Sequence, residues 1–325
     1  QPDAENWPQK VLTFFDNNEY GVMDDIITNS APLLAEQELR GLAAHFEADA
    51  KAALASPKEP DRYNSEAAHA CIGIKSVAEA LQDMALYEQA TLLISPEPNT
   101  LQLGRIIEFA LAIGYLDRAA YWLEQPQWQR DQNRYRSLRR LWLKRNGDTG
   151  QLKAELQQDF TERPHTYTLE PLWLMASDQE QPQLQRQVEN LSTDKVAPDE
   201  WVAMLLLVGN PQRAEAILLA EPEQFASVHY GTLLNWAKIF AEEHRPLAQV
   251  VCYRALLTDL LGRGYTRAYR HGAGCFHKLL ALDKAIDDYQ GLEDAQAFIH
   301  GLQTRHWRKR SFWELADYPN KPPKD

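Results

Sequence analysis

The chain has 325 residues, with 34 Lys and Arg against 46 Asp and Glu, and a formal net charge of −12. Its 44% hydrophobic and 25% charged residues are ordinary for a globular protein and exclude wholesale disorder. No run of 18 apolar residues occurs, so we expect no membrane-spanning helix and no membrane partner. The acidic balance argues against a general nucleic-acid-binding protein.

Apolar residues recur at steps of three and four, which predicts helices throughout and no sheet. Asn29 and Ser30 before Pro32 predict a helix start, because a polar cap precedes a proline in the first turn. The apolar face of that helix holds Leu33, Leu34, Leu39, Leu42 and Phe46. The polar stretch 56–65 contains two prolines and predicts a loop, after which Ser65 opens the next helix.

A helical repeat emerges further along the chain. Small residues stand at one position of similar turn–helix segments, namely Ala90, Ala119, Ala154, Ala214 and Ala248. The mean step is near 32 residues if the long gap between 154 and 214 holds two periods, with Leu184 in the missing place. This step is close to that of helix–turn–helix repeats of the tetratricopeptide kind. We therefore predict an all-α protein, a right-handed α-solenoid of degenerate repeats, with a compact irregular helical domain as the alternative.

The same pattern predicts how the chain is divided. Residues 1–60 form an N-terminal helical segment that packs on the solenoid, residues 61–316 form the solenoid, and residues 317–325 form a flexible tail. The three cysteines are an odd number and lie far apart at positions 71, 252 and 275, which is no disulfide framework. A cytoplasmic location is the simplest interpretation, although a chain starting at Gln1 also fits removal of a signal peptide.

Several segments resemble one known family. Residues 107–123 look like its central repeat, residues 20–24 are similar to its opening, and a C-terminal signature is matched by Tyr253, Arg254, Ala268, Tyr269, His271, Ala273, Phe312 and Trp313. The family is a bacterial group of uncharacterised helical-repeat, tetratricopeptide-like proteins, some of which carry a SWIM-type zinc finger upstream. The resemblance implies a helical fold and no particular activity. The chain departs from the signature at Gly272, Gly274, Cys275 and Phe276, and it has no zinc-finger motif.

No strong catalytic motif occurs, so we expect no enzyme and no cofactor. His271 and Cys275 have helical i, i+4 spacing, as two metal ligands would. His277 lies on another side of the helix, so a third ligand would have to come from elsewhere, such as Cys252 or His300. Packing is the simpler interpretation, and we predict no metal site. The pairs His69 with Cys71, Asp24 with Asp25 and Asp287 with Asp288 are likewise typical of packing or a solvated face.

Charge is distributed unevenly. Residues 1–125 hold 20 acidic and 8 basic residues, whereas residues 126–325 hold 26 of each. Residues 126–145 form a basic stripe in which seven Arg and Lys residues interleave with Trp128, Tyr135 and Trp142. The C-terminal region adds two further basic groups, which are Arg263, Arg267, Arg270 and Lys278, and then Arg305, Arg308, Lys309 and Arg310 around Trp307. Arginines beside aromatic residues are suited to an acidic partner, to nucleic acid, or to pairing within the chain itself.

From these patterns we predict a non-enzymatic interaction scaffold that binds an acidic protein or peptide through a concave helical surface. The predicted binding residues are Arg136, Arg139, Arg140, Tyr269, Arg270, His271, Arg308 and Arg310. A nucleic-acid-associated protein that uses the basic, aromatic segments is the first alternative. A metal-dependent hydrolase is the second.

Overall fold

A computed structural model describes residues 6–17, 25–56 and 64–321. Within these ranges the protein is helical and contains no strand, which confirms the all-α prediction. Helices α1 to α9 span Trp7–Asp16, Ile26–Ser30, Glu36–Ala55, Ser65–Leu81, Met84–Ile94, Thr100–Ala112, Leu116–Leu123, Gln132–Asn146 and Thr149–Glu162. Helices α10 to α18 span Thr166–Met175, Gln181–Glu189, Pro198–Leu207, Pro211–Ala220, Tyr230–Glu242, Pro246–Arg263, Tyr269–Asp283, Ala295–His306 and Arg310–Leu315.

The chain divides into two compact units, Gln1–Leu152 and Lys153–Asp325. In the first unit, two adjoining apolar clusters form the core, one centred on α3 and α4 and the other on α6 and α7. Phe15, Phe46 and Ile74 are fully buried in the first cluster. Gly73 of α4 lies directly against the ring of Phe46, which is how α3 and α4 approach each other closely.

In the second unit, α15 is the central helix, because thirteen of its residues are buried. It packs against α14 on one side and α16 on the other. An aromatic cluster closes the C-terminal end, with Phe276 in contact with Phe312, Trp313 and Tyr318. Residues 317–321, which we expected in a flexible tail, contact this unit, since Gln303 donates a hydrogen bond to the carbonyl of Pro319 at 2.6 Å.

The first long helix begins later than predicted. Residues 31–33 form a 3-10 turn, Leu34 is extended with ψ of 136°, and α3 starts at Glu36. Glu38 then accepts a hydrogen bond from the backbone N–H of Ala35 at 2.7 Å, so an acidic residue in the first turn satisfies this helix end. The predicted start of α4 at Ser65 is correct. Residues 20–24 and 57–60, on which other expectations rest, lie outside the described ranges.

Helical hairpins recur along both units, and the first helix of each hairpin ends in the same kind of turn. Nine of the described residues have left-handed backbone, and five of them, at 82, 114, 147, 209 and 244, follow one another at steps of 32, 33, 62 and 35 residues. At each turn the next residue's N–H donates to the carbonyl five positions back, for example from Tyr115 to Ala110 and from Arg245 to Phe240. These four steps are similar to the period of the sequence, whereas Gly264 and Asp317, which are followed by the same hydrogen bond, stand outside it. Four of the five small residues, all but Ala154, are fully buried in the helix after a turn.

Two of these turns carry a side chain where glycine is favoured. Gln82 has φ of 53° and His244 has φ of 54°, and both side chains are exposed. A Cβ atom disfavours left-handed backbone, so we expect Gln82→Gly and His244→Gly each to raise the free energy of unfolding by about 0.5 to 1 kcal/mol. Urea denaturation measures the change. Gln82→Ala, which keeps the Cβ atom, serves as the control, and an equal gain in that variant contradicts the explanation.

Among the helices within the described ranges, none combines the length and apolar character needed to cross a membrane.

Candidate functional site

The basic stripe on α8, in the first unit, is integrated into the fold. Arg136, Arg139 and Arg140 are half-buried, and all three interact with other groups of the chain. The aromatic residues of the stripe face inward, because the indole N–H of Trp128 donates to the carbonyl of Trp122 at 2.8 Å and that of Trp142 to Leu116 at 3.0 Å. These rings are therefore engaged by the protein rather than presented for base stacking.

The other predicted binding residues lie in the second unit. Tyr269 was predicted on the surface, and this is wrong, because it is only 3% exposed and packs edge-on against Phe312 with ring centroids 5.7 Å apart. Arg270 and His271 are exposed on the first turn of α16. Arg308 is exposed and lies 5.1 Å from the ring of Trp307. Arg310, also exposed, lines a separate shallow cavity of about 410 Å³ beside Trp313, Glu314 and Asp317.

A groove of about 640 Å³ includes His271 and extends well beyond it. It lies where the start of α14, the second half of α15 and the start of α16 meet, so three helices position its lining. Gly272 contributes to this meeting, because a Cβ atom there would lie 3.0 Å from Leu260 of α15. The lining residues are Val228, His229, Tyr230, Leu234, Leu256, Asp259, Leu260, Arg263, Gly264, Tyr265, Arg267, Ala268, His271 and Cys275.

The groove has an apolar floor and aromatic walls. Leu256, Leu260 and Cys275 are buried and form the floor. Tyr230 and Tyr265 are 57% and 58% exposed, which is high for such large apolar side chains. Large exposed aromatic residues beside buried leucines are characteristic of binding sites, since they offer contact area with little conformational freedom to lose.

The rim of the groove is cationic. Arg263, Arg267 and His271 are exposed there. The one carboxylate among the lining residues, Asp259, already accepts a hydrogen bond from Nε of Arg263 at 2.7 Å. His229 uses Nδ1 to accept the N–H of Gly231 at 3.2 Å and so caps α14. The guanidinium of Arg267 thus faces the groove without a carboxylate of the lining to neutralise it.

One known protein family matches the part of the chain that contains the groove. A family model described as a family of unknown function (DUF6880) matches residues 106–315, which is more than half of the chain and includes every residue of the groove. The chain belongs to DUF6880. The expected membership of an uncharacterised family is thereby confirmed, while the relation to tetratricopeptide repeats and to SWIM zinc fingers stays a prediction. No curated protein and no solved structure matches the DUF6880 chain.

The residues that were considered and rejected as metal ligands separate in this DUF6880 protein. His271 and Cys275 both line the groove, but Nε2 of His277 lies 2.8 Å from the carbonyl oxygen of Ala316. Cys252 is fully buried within α15, where burial raises the pKa of its thiol to about 12. Burial also raises the pKa of Cys275, which favours the thiol over the thiolate. In the parts of the chain that the structure describes, no three His, Cys, Asp or Glu side chains are grouped to hold a metal ion.

Sequence reasoning named His271 but missed most of the groove. Arg263 and Arg267 were noted as basic residues, whereas Tyr230 and Tyr265 were not singled out. The available signal was the segment Arg263-Gly264-Tyr265, in which a helix ends at glycine and a large aromatic residue follows in a polar turn. Tyr230 lies 35 residues earlier, and only packing of α14 beside α15 brings the two together.

Proposed function

We propose that this DUF6880 chain is a non-enzymatic interaction module of the cytoplasm that binds a short acidic segment of a partner protein in the groove. The observation that carries the proposal is the combination of a buried leucine floor with the exposed guanidinium of Arg267 on the rim, since the one carboxylate of the lining, Asp259, is paired with Arg263. Such a surface complements a peptide with an apolar side chain beside acidic ones. Three free, buried cysteines are compatible with the cytoplasm.

The volume of the groove limits the size of the ligand that it can bind. A volume of about 640 Å³ is within the range of small-molecule and short-peptide pockets, roughly 300–1,000 Å³. A few side chains fill it, so the groove anchors a short segment rather than a folded domain. The recurring hairpins with a step near 32 residues support a solenoid-like scaffold.

Nucleic acid is the weaker of the two anionic partners. In the stripe on α8 the indoles of Trp128 and Trp142 are hydrogen-bonded to backbone carbonyls, which leaves fewer rings for stacking bases. The chain as a whole carries a net charge of −12, which opposes binding along a polyanion. An acidic peptide needs only the local charge of the groove.

The proposal is tested with a panel of fluorescein-labelled decapeptides that carry Leu, Phe or Trp at the centre and Glu on both sides. We expect at least one peptide to bind in fluorescence polarisation at about 50 mM salt, with affinity that falls as salt rises. Arg267→Glu should weaken that binding at least tenfold, because a rim cation becomes a repelling anion. Lys238→Glu makes the same change of charge on an exposed residue of α14 outside the lining, and should bind within twofold of the unmodified chain.

Two outcomes contradict the proposal. The first is that no peptide of the panel binds at low salt, and the second is that Lys238→Glu weakens binding as much as Arg267→Glu. A labelled oligothymidine is measured beside the peptides, and binding to it alone assigns the groove to single-stranded nucleic acid. Melting temperatures of both variants within about 2 °C of the unmodified chain show that the fold is intact.

A further inference from the structure

A basic segment of the chain contacts the groove at Gly264. Gly264 ends α15 with left-handed backbone, φ of 67°, and a Cβ atom at this position would lie 3.1 Å from Nζ of Lys309. The ammonium group of Lys309 is therefore packed against a lining residue of the groove. Lys309 itself belongs to the turn between α17 and α18, so this contact joins that turn to the groove.

The turn is densely basic. We define the basic turn as Arg308 and Lys309 together with two neighbouring cations, Arg305 in the last turn of α17 and Lys321, which packs on the ring of Trp307. The ring of Trp307 holds two of these cations in place, with Arg308 at 5.1 Å and Lys321 at 5.4 Å from its centroid. Residues 300–313 contain no acidic residue.

Two cations of the basic turn, Arg305 and Lys309, act on His306, which lies between them in the sequence. Burial lowers the pKa of His306, and the positive charges of Lys309 and Arg305 lower it further. An anionic ligand placed here is attracted by Arg305 and Lys309, which is a favourable contribution to its binding.

We propose that the groove and the basic turn form one continuous binding surface, whose occupant is an acidic peptide longer than the groove itself. This inference rests on the proposed function. The apolar anchor of the peptide occupies the groove, and a run of carboxylates continues from the anchor past Gly264 to Lys309, Arg308 and Arg305. The acidic run therefore lies on one side of the anchor only, and recognition has a direction along the peptide.

The direction is tested with three labelled peptides that share a short core, an apolar residue with two Glu residues. One peptide is the core alone, and the others carry four additional Glu residues before it or after it. We expect one extension to raise affinity about tenfold and the other to change it less than threefold. Extensions of four Ser residues, which add length without charge, should not raise the affinity.

Variants of the basic turn separate this inference from the proposed function. Replacing Arg308 and Lys309 by Gln should remove the gain from the favoured extension, while the short core binds within twofold of its original affinity. Arg310→Gln, next in sequence but in a separate cavity, should retain the gain in affinity.

The inference is overturned if neither extension raises the affinity, or if the Arg308→Gln, Lys309→Gln variant keeps the gain in affinity. The groove then remains a short-peptide site. If the core fails to bind at all, the proposed function itself fails. Tighter binding of a 15-nucleotide oligothymidine than of either extended peptide also overturns the inference, in favour of nucleic acid.

Discussion

Replacing Arg254 with alanine is expected to lower the free energy of unfolding by about 3 kcal/mol, because the side chain is an internal packing element of the second unit. Arg254 is 9% exposed within α15. Its guanidinium carbon lies 4.8 Å from the ring centroid of Phe298 and 5.4 Å from that of Tyr289. Nη1 donates to the carbonyl of Glu293 at 2.8 Å, so the side chain holds the segment between α16 and α17 against α15. Truncation leaves a cavity and an unpaired carbonyl.

The charge of Arg254 contributes less than its volume. Nε and Nη2 are buried without a hydrogen-bond partner. Burial correspondingly lowers the pKa of the guanidinium, an effect opposed by the charges of Glu293, Asp294 and Asp283. Because a buried charge that is incompletely hydrogen-bonded is costly, we expect Arg254→Met to retain most of the stability, within about 1 kcal/mol of the unmodified chain.

Urea denaturation measures both Arg254 variants, and hydrogen exchange of residues 284–294 reports on the segment that Arg254 holds. Arg270→Ala, an exposed arginine on the neighbouring helix, is the control and should change stability by less than about 0.5 kcal/mol. A loss in Arg254→Met as large as that in Arg254→Ala shows that the charge, not the volume, is what α15 requires. Unchanged stability of Arg254→Ala contradicts the packing role altogether.

Gly73 should be the most sensitive glycine of the first unit, and we expect Gly73→Val to lower the free energy of unfolding by about 3 kcal/mol. A Cβ atom at this position would lie 2.7 to 2.8 Å from three ring atoms of Phe46. The ring is 2% exposed and stands 5.0 Å from that of Phe15, so it has little room to turn away. The helices must therefore separate, and buried contacts between α3 and α4 are lost.

Gly41 on α3 provides a matched control, because nothing lies within 4 Å of a Cβ atom built there. Alanine favours helix over glycine, so Gly41→Ala should raise stability by about 0.5 to 1 kcal/mol. Combining Gly73→Val with Phe46→Leu should recover part of the loss, since the smaller side chain makes space for the new methyl groups. Strict additivity of these two substitutions would show that Gly73 and Phe46 are not in steric conflict.

Local sequence signals predicted the helices well and the binding site poorly. The start of α4 at Ser65 follows from a polar cap after a proline-rich loop, which is a short-range property. The start at Asn29 and Ser30 was wrong although its signal was as strong, because Leu34 adopts an extended conformation before α3. Tyr269 and His271 are two residues apart on α16, and only the packing of Phe312 decides that Tyr269 is buried.

The net charge of −12 and its uneven distribution are properties of the sequence, as are the helical period, the positions of the small residues and the membership of an all-helical chain in a family of unknown function. The helical period depends on neighbours within one or two helical turns, and charge and composition are sums over the chain, so all of them can be determined without the tertiary structure. The groove was decided by tertiary structure alone. It requires Tyr230, Leu256, Arg267 and His271 to meet from separate elements, and which cations remain unpaired depends on contacts such as that between Asp259 and Arg263.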